Sequence, residues 1–269
     1  HGIVPATLER VTYLIVRVYP VRYVPATGQV YYAMSVNISV KYTLASTPQA
    51  LQATVDIVVI TPEALLTPAQ QLAQWKNSTG YVAKVYTLEW ITANFPGADA
   101  QEKIRNFINY TVNNFDTKYV ILLGDSDQIP VRRAYFQEME NDAENPYIET
   151  DLYYADLDYA WDSNNDGLWG DLDHDKVDGL PDILIGRIPV SNSTDAEAYL
   201  SKLFSYKPTS NWFKSTLMIG TDTFGMGAPE GEYLVRYIEK FIPSNYTVTK
   251  LLETVGNLTL LNMISEINQ

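Results

Sequence analysis

Apolar and polar residues follow two different periods along this chain. From Val36 to Thr43 they alternate, which is the period of a strand with one buried face. The segment Val11–Tyr19 is rich in β-branched and aromatic residues and predicts another strand, and a turn around Pro25 and Gly28 separates the two. Residues 1–50 are therefore predicted to form a short β-rich segment.

From about residue 54 onward, short apolar runs alternate with stretches of helical period. The apolar runs, each typical of a buried parallel strand, are Val55–Ile60, Val82–Tyr86, Tyr119–Leu123, Ile183–Ile188, Thr216–Ile219 and Val248–Leu252. The predicted helices are Thr67–Gly80 (opened by a Thr-Pro cap), Asp99–Phe115, Thr194–Tyr206, Glu232–Ile242 and Leu258–Asn268. This alternation predicts an α/β fold with a parallel sheet.

The predicted elements divide near residue 210. Residues 51–210 are expected to form a first α/β subdomain, and residues 211–269 the start of a second one. The helix predicted at Leu258–Asn268 has no strand after it, so we expect the second sheet to be incomplete.

Charge is concentrated in one region. The formal net charge is −13, which disfavours binding to nucleic acid or anionic membranes and favours cations. Between Glu138 and Asp182 there are 15 acidic residues and a single basic one, Lys176. Residues 130–181 are therefore predicted to be an acidic loop region.

Within that region, Asp162–Asp173 has the spacing of a calcium loop. Such a loop places oxygen ligands at positions 1, 3, 5, 7 and 12 and a glycine at position 6. The corresponding ligands are Asp162, Asn164, Asp166, the Leu168 carbonyl and Asp173, and Gly167 occupies the sixth position. An Asp at position 12 resembles the loops of dockerin-type repeats. The expected cofactor is Ca²⁺; the alternative is an Asx-rich turn held by its own side chains.

Other acidic residues flank this loop. They are Asp151, Asp156, Asp158, Asp171, Asp175, Asp178 and Asp182. Some of them could form a second cation site or complete the first, whereas the rest are expected to be solvated. His174 is interpreted as a bystander among hard oxygen ligands.

No complete catalytic site is predicted. The chain has no cysteine, and its two histidines are His1 and His174, so neither a cysteine nucleophile nor a Ser-His-Asp triad can be assembled. The stretch Gly225–Glu230 departs from a dinucleotide fingerprint. Asp125 and Asp222 each end a predicted strand, where they could contribute to a site or cap the following turn.

The composition favours a protein exported from the cell. Six Asn-x-Ser/Thr sequons begin at Asn37, Asn77, Asn109, Asn192, Asn245 and Asn257, which is typical of a secreted or cell-surface glycoprotein. No apolar run reaches the roughly 18 residues that a membrane span needs, so no membrane span is predicted. The oligomeric state is left open.

Three motifs, in this order, resemble a known family. They are Tyr119–Pro130 (YVILLGDSDQIP), Thr150–Asp158 (TDLYYADLD) and Asp182–Val190 (DILIGRIPV), and the calcium loop lies between the last two. Together they resemble the gingipain-type cysteine peptidases, relatives of the caspase-like fold. Asp56–Pro62 and the Trp75-Lys76 helix are similar to the start of that catalytic domain. Tyr19–Tyr23 is similar to the end of its β-rich pro-region, of which residues 1–50 would be a remnant.

This resemblance implies a complete enzyme with two α/β subdomains, the second of them catalytic. In the family, a histidine in a Gly-His-Gly turn assists attack by a cysteine thiolate on a peptide carbonyl. Neither motif is present here, so no catalytic residue is transferred and this chain alone is expected to be inactive. The resemblance implies a protein or peptide substrate for the full-length parent. The alternative is a non-catalytic surface or adhesion module that keeps the fold, and a glycosidase is a more distant one.

Overall fold

The computed structural model describes residues 2–4, 7–8, 10–11, 14, 16–42, 54–136, 146–207, 211–225 and 227–268. The chain divides into two compact units, His1–Phe204 and Ser205–Gln269. The described residues include no helix that is long and apolar enough to cross a bilayer.

The first unit contains a parallel sheet and several short antiparallel pairs. Its strands are β1 (Gly2–Ile3), β2 (Arg10–Val11), β3 (Val21–Val24), β4 (Gln29–Tyr32), β5 (Ile57–Thr61), β6 (Ala83–Thr87), β7 (Tyr119–Leu123), β8 (Arg132–Tyr135), β9 (Tyr147–Thr150) and β10 (Leu184–Ile188). Its helices are α1 (Leu66–Ser78), α2 (Leu88–Asn94), α3 (Ala100–Phe115), α4 (Leu152–Ala155) and α5 (Ser193–Ser205).

A four-stranded parallel sheet in the order β10-β7-β5-β6 forms the centre of this unit. Successive residues of β5 point to opposite faces: Val58 and Ile60 pack with α2 and α3, whereas Ile57 and Val59 pack with α1 and α5. Both faces are covered by helices, and all five residues of β5 are buried. This explains why the strand is a continuous apolar run instead of an alternating one. The predicted α/β class with a parallel sheet is confirmed.

The second unit is a smaller α/β assembly. Strands β11 (Ser215–Gly220) and β12 (Thr247–Leu252) are parallel neighbours in register, and helices α6 (Glu230–Ile238) and α7 (Leu260–Ile267) accompany them. Met218, Val235 and Leu252 form its buried cluster. Within the described part of this unit, the sheet contains these two strands.

The strands predicted in the first 50 residues are wrong in position. The predicted turn is present, but it joins β3 directly to β4, and each of these strands is four residues long. Of the predicted strand Val11–Tyr19, the described part is a strand at Val11 alone, and in Val36–Thr43 the described residues 36–42 carry no strand and are exposed. Alternation predicts a strand only where one face meets a core, and here these residues contact none. Residues 43–53 lie outside the described residues.

Two further predictions are corrected. The first helix begins at Leu66, after a 3-10 turn at Glu63–Leu65, so that Thr67 is not its cap. Pro68 lies in the first turn, as predicted. Proline is tolerated there because the first N–H groups of a helix have no intrahelical partner. The region predicted as an acidic loop contains the hairpin β8–β9 and helix α4, and its residues 137–145 lie outside the described part.

Candidate metal centre

The predicted calcium loop follows a buried residue, Trp161, that fixes its start in the core. Trp161 is buried in the core beneath the loop, and its carbonyl accepts a hydrogen bond from the N–H of Gly170 at 2.6 Å. Gly170 has φ 79° and lies against the Trp161 ring, where a Cβ atom would approach the ring to 3.1 Å. A glycine is therefore required at this position, both for the left-handed backbone and for the close approach.

Three of the predicted ligands converge on one turn. The Asp162 carboxylate accepts the backbone N–H of Asp166 at 2.9 Å and of Gly167 at 3.2 Å. Asn164 donates its amide N–H to Asp166 Oδ2 at 2.6 Å, and Asp166 Oδ1 accepts the N–H of Leu168 at 2.8 Å. Gly167 has φ 82°, which allows the sharp turn. The side chains at positions 1, 3 and 5 thus face the same space.

Asp173, the predicted twelfth ligand, is exposed. Its N–H donates to Asp171 Oδ1 at 3.0 Å. The carboxylate that closes the loop belongs to Asp175, which is buried and accepts the N–H groups of Ser163 at 2.7 Å and of Gly170 and Asp171 at 3.1 Å each. Sequence spacing alone did not single out Asp175 among the neighbouring acidic residues.

His174 pairs with a carboxylate beside the loop. Its Nδ1 lies 2.7 Å from Asp171 Oδ2. This hydrogen bond raises the pKa of His174 and lowers that of Asp171. The histidine side chain is 62% exposed while the carboxylate is buried, so His174 covers Asp171 from the solvent side.

Sequence reasoning missed an arginine that supports the loop from below. Arg132, on β8, stacks on the rings of Trp169 at 3.7 Å and Tyr153 at 4.3 Å. It donates two hydrogen bonds to the carboxylate of Asp99, at 2.8 and 3.0 Å. The neighbouring Tyr135 N–H donates to the Trp169 carbonyl at 2.8 Å. The hairpin therefore holds the loop against the start of α3.

The remaining acidic residues have varied roles. Asp151 pairs with Arg187, and Asp182 accepts the Leu157 N–H at 2.7 Å, with burial raising its pKa. At the strand ends, Asp125 accepts the N–H of Ser126 at 2.7 Å, and Asp222 accepts the N–H of Gly227 at 2.6 Å. Asp125 and Asp222 thus stabilise the turns after their strands. His1 lies outside the described residues.

Comparison with known proteins identifies the relatives of this chain. The model of peptidase family C25 matches residues 50–264. An uncharacterized protein of Archaeoglobus fulgidus is 25% identical over 223 residues, which are 74% of this chain and 46% of that protein.

Two solved structures share the fold. The complex of the pro- and mature domains of Porphyromonas gingivalis RgpB aligns with 73% of this chain and 42% of its own, at 18% identity and a TM-score of 0.51. The Arg-specific cysteine proteinase gingipain R (RgpB) aligns with 77% of this chain and 43% of its own, at 18% identity and a TM-score of 0.50. The chain spans less than half the length of each of these relatives.

Proposed function

Because this chain belongs to peptidase family C25, we propose that it is the calcium-binding, leading part of a cysteine endopeptidase that acts outside the cell. A thiolate nucleophile must then come from other sequence of the full-length protein, since these 269 residues contain no cysteine. The match to less than half of each relative supports this division of labour. This chain by itself would stabilise the fold of the full-length enzyme and would cleave no peptide.

The calcium proposal depends on the convergence of Asp162, Asn164 and Asp166 in one turn. Carboxylate and amide oxygens are the ligands that Ca²⁺ prefers, and alternate residues of a tight loop can surround it. In the structure, the same side chains accept or donate hydrogen bonds within the loop. These bonds keep the ligands close together before an ion enters, so little ordering is needed on binding.

Thermal unfolding tests the calcium proposal. With a dissociation constant of about 0.1 to 1 mM, as in extracellular modules, 10 mM calcium should raise the unfolding midpoint by roughly 3 to 10 °C. The double variant Asp162→Ala, Asp166→Ala should lose this increment. Asp127→Ala, the same substitution at an exposed position outside the loop, serves as the control and should keep it. Equal melting curves of the unaltered chain in calcium and in chelator would disprove the proposal.

Peptidase activity is tested on the full-length protein. We expect it to cleave peptides in a manner that thiol alkylation abolishes, while the 269-residue chain cleaves none. If the purified full-length protein is inactive on all peptides tested, the chain is better explained as part of a non-catalytic surface module of the same fold.

The sequons support export unequally. Five of the six sequon asparagines are exposed, as a glycan attachment site requires: Asn37, Asn77, Asn109, Asn192 and Asn245. Three of the six donate the amide N–H that a glycan would replace: Asn77 to the Ala83 carbonyl at 3.2 Å, Asn192 to Asp195 Oδ2 at 2.7 Å and Asn257 to the Lys250 carbonyl at 2.9 Å. If the protein is exported through a glycosylating pathway, mass spectrometry should find glycans at Asn37, Asn109 and Asn245. An unmodified Asn37, Asn109 and Asn245 in protein from the native source would remove this support.

A further inference from the structure

A cavity of about 270 Å³ opens at the amino ends of the parallel strands in the first unit. It is lined by the first residue of β5 and by the first three residues of both β7 and β10. Lys76, from the last turn of α1, and Tyr81, from the connection between α1 and β6, complete the lining. The lining includes none of the predicted calcium ligands, so the cavity is separate from the acidic loop.

Gly186 leaves the cavity open on its β10 side. It is paired in register with Ile121, so a side chain at this position would lie beside Ile121 on the face of the sheet that α1 and α5 cover. A Cβ atom there would meet nothing within 4 Å, and Gly186 does not have a positive φ. Neither tight packing nor backbone geometry therefore requires a glycine. Glycine in a strand otherwise marks a place where a ligand approaches the backbone closely.

Lys76 is the cationic residue of the lining. Its Nζ lies 4.8 Å from the centre of the Trp75 ring and 5.7 Å from that of the Tyr81 ring, so two aromatic side chains hold the ammonium group. Within the part of the chain that the structure describes, this group makes neither an ion pair nor a hydrogen bond. It is therefore open to an anionic partner.

The neighbouring charged groups already have partners. The Asp56 carboxylate, directly before β5, accepts the Val82 N–H at 2.7 Å. Lys118, directly before β7, lies 2.5 Å from the carboxylate of Asp116. Among the residues that line the cavity, Lys76 is thus the cation available to a ligand.

The remaining walls suit a single aromatic ring. Tyr81 and Tyr119 meet edge to face with their ring centres 6.1 Å apart, and the strand residues beside them are mostly aliphatic, among them Ile57 and Leu184. In other proteins, an apolar cavity of about 150 Å³ holds a benzene molecule. The volume of about 270 Å³ therefore accommodates one ring with a short side arm and is too small for an extended peptide segment.

We propose that this cavity binds a free arylalkanoate, that is, a small carboxylate that carries one aromatic ring. The ring would lie in the open space beside Gly186, where removal of its apolar surface from water favours binding. The carboxylate would accept a charge-assisted hydrogen bond from the Lys76 ammonium group. This site requires neither calcium nor peptidase activity, so its test does not depend on either of those proposals.

NMR titration of the chain with phenylpropionate tests this site through the amide chemical shifts of β7 and β10. We expect a dissociation constant on the order of 1 mM, because the ligand is small. Phenylpropionamide has the same shape without the charge and should bind about tenfold more weakly, and Lys76→Gln should weaken phenylpropionate binding equally. The matched control is Lys84→Gln. Lys84 also lies over an aromatic ring, 5.7 Å from the centre of Phe115, but outside the cavity, so this variant should leave binding unchanged.

Filling the cavity provides a second test. Gly186→Leu places an apolar side chain in the open space and should abolish the shifts caused by phenylpropionate. If this variant does not fold, Lys76→Gln decides instead, because Lys76 is only half-buried at the end of α1. Absence of shifts in the unaltered chain with about 20 mM phenylpropionate, or equal affinity for the amide, would overturn the proposal. Tighter binding of acetylglycyl-phenylalanine than of phenylpropionate would overturn the choice of a free ligand, because a peptide carboxyl terminus offers the same ring and carboxylate.

Discussion

Arg187 and Asp151 form a two-bond ion pair that joins the separate family motifs of the first unit. Arg187 Nε lies 2.8 Å from Asp151 Oδ2, and its Nη2 lies 2.7 Å from Oδ1. The remaining nitrogen, Nη1, donates to the carbonyls of Gly124 at 3.0 Å and Ile129 at 2.8 Å. One guanidinium thus links the DILIGRIPV, TDLYYADLD and YVILLGDSDQIP segments.

Replacing Arg187 with lysine should destabilise the first unit. An ammonium group cannot make the two-bond pair and also satisfy both carbonyls, because it lacks the planar fork of arginine. We expect Arg187→Lys to lower the free energy of unfolding by about 2 kcal/mol, measured by urea denaturation. Arg236→Lys, where the exposed arginine lies 3.7 Å from Glu232, should change it by less than about 1 kcal/mol. Equal effects of the two substitutions would contradict this role.

The ion pair between Asp99 and Arg132 should make the free energy of unfolding depend on pH in the acidic range. Burial raises the pKa of Asp99, but hydrogen bonds from Arg132 and from the Glu102 N–H outweigh it, so the pKa lies below its ordinary value. The stabilisation is therefore complete above about pH 4, the pKa of an unfolded aspartate, and is lost as the pH falls through the lower folded value.

Urea unfolding between pH 2 and pH 6 tests this dependence. The difference in unfolding free energy between the unaltered chain and Asp99→Asn should be largest near pH 6 and should shrink as the solution becomes more acidic. Asp127→Asn, at an exposed position, should show no such convergence. A difference that stays constant over this range would mean that the charge of Asp99 does not matter.

Matched substitutions at Asp175 and Asp173 test which of the two carboxylates closes the acidic loop. Asp175→Asn should lower the unfolding free energy in the absence of calcium by about 1 to 3 kcal/mol, because a buried acceptor of several N–H groups is replaced by a weaker one. Asp173→Asn should leave it within about 0.5 kcal/mol, since this residue is exposed. The reverse order in denaturation curves would show that Asp173 closes the loop.

Gly231 should be essential for packing in the second unit. A Cβ atom there would lie 2.6 Å from the Thr221 carbonyl oxygen and 3.0 Å from its nitrogen, which requires the backbone to move. We expect Gly231→Ala to destabilise this unit by about 1 to 3 kcal/mol, seen as faster amide hydrogen exchange in β11 and β12. Gly186→Ala, on β10, would meet nothing within 4 Å and should leave exchange unchanged. If the amides of β11 and β12 in Gly231→Ala exchange as slowly as in the unaltered chain, Gly231 is not essential for this packing.

Elements whose signals are local could be predicted from the residues alone. Strand β7 has the predicted bounds Tyr119–Leu123. Helix α3 ends at the predicted Phe115 and starts directly after Asp99, the first residue of the predicted range, whose carboxylate accepts the Glu102 N–H at 2.8 Å. An apolar run long enough for one strand, or a cap three residues before its partner, carries its meaning within a few residues. The three ordered motifs likewise indicated the peptidase family that the family model matches.

The tertiary structure alone decided which charged residues meet. Arg132 pairs with Asp99 across 33 residues and Arg187 with Asp151 across 36, and no local pattern distinguishes these carboxylates from solvated ones. The burial of Asp156 and the choice of Asp175 over Asp173 have the same origin. The cost of removing a charge from water is offset only by a partner that folding brings near, so these roles depend on the packed chain and not on residue spacing.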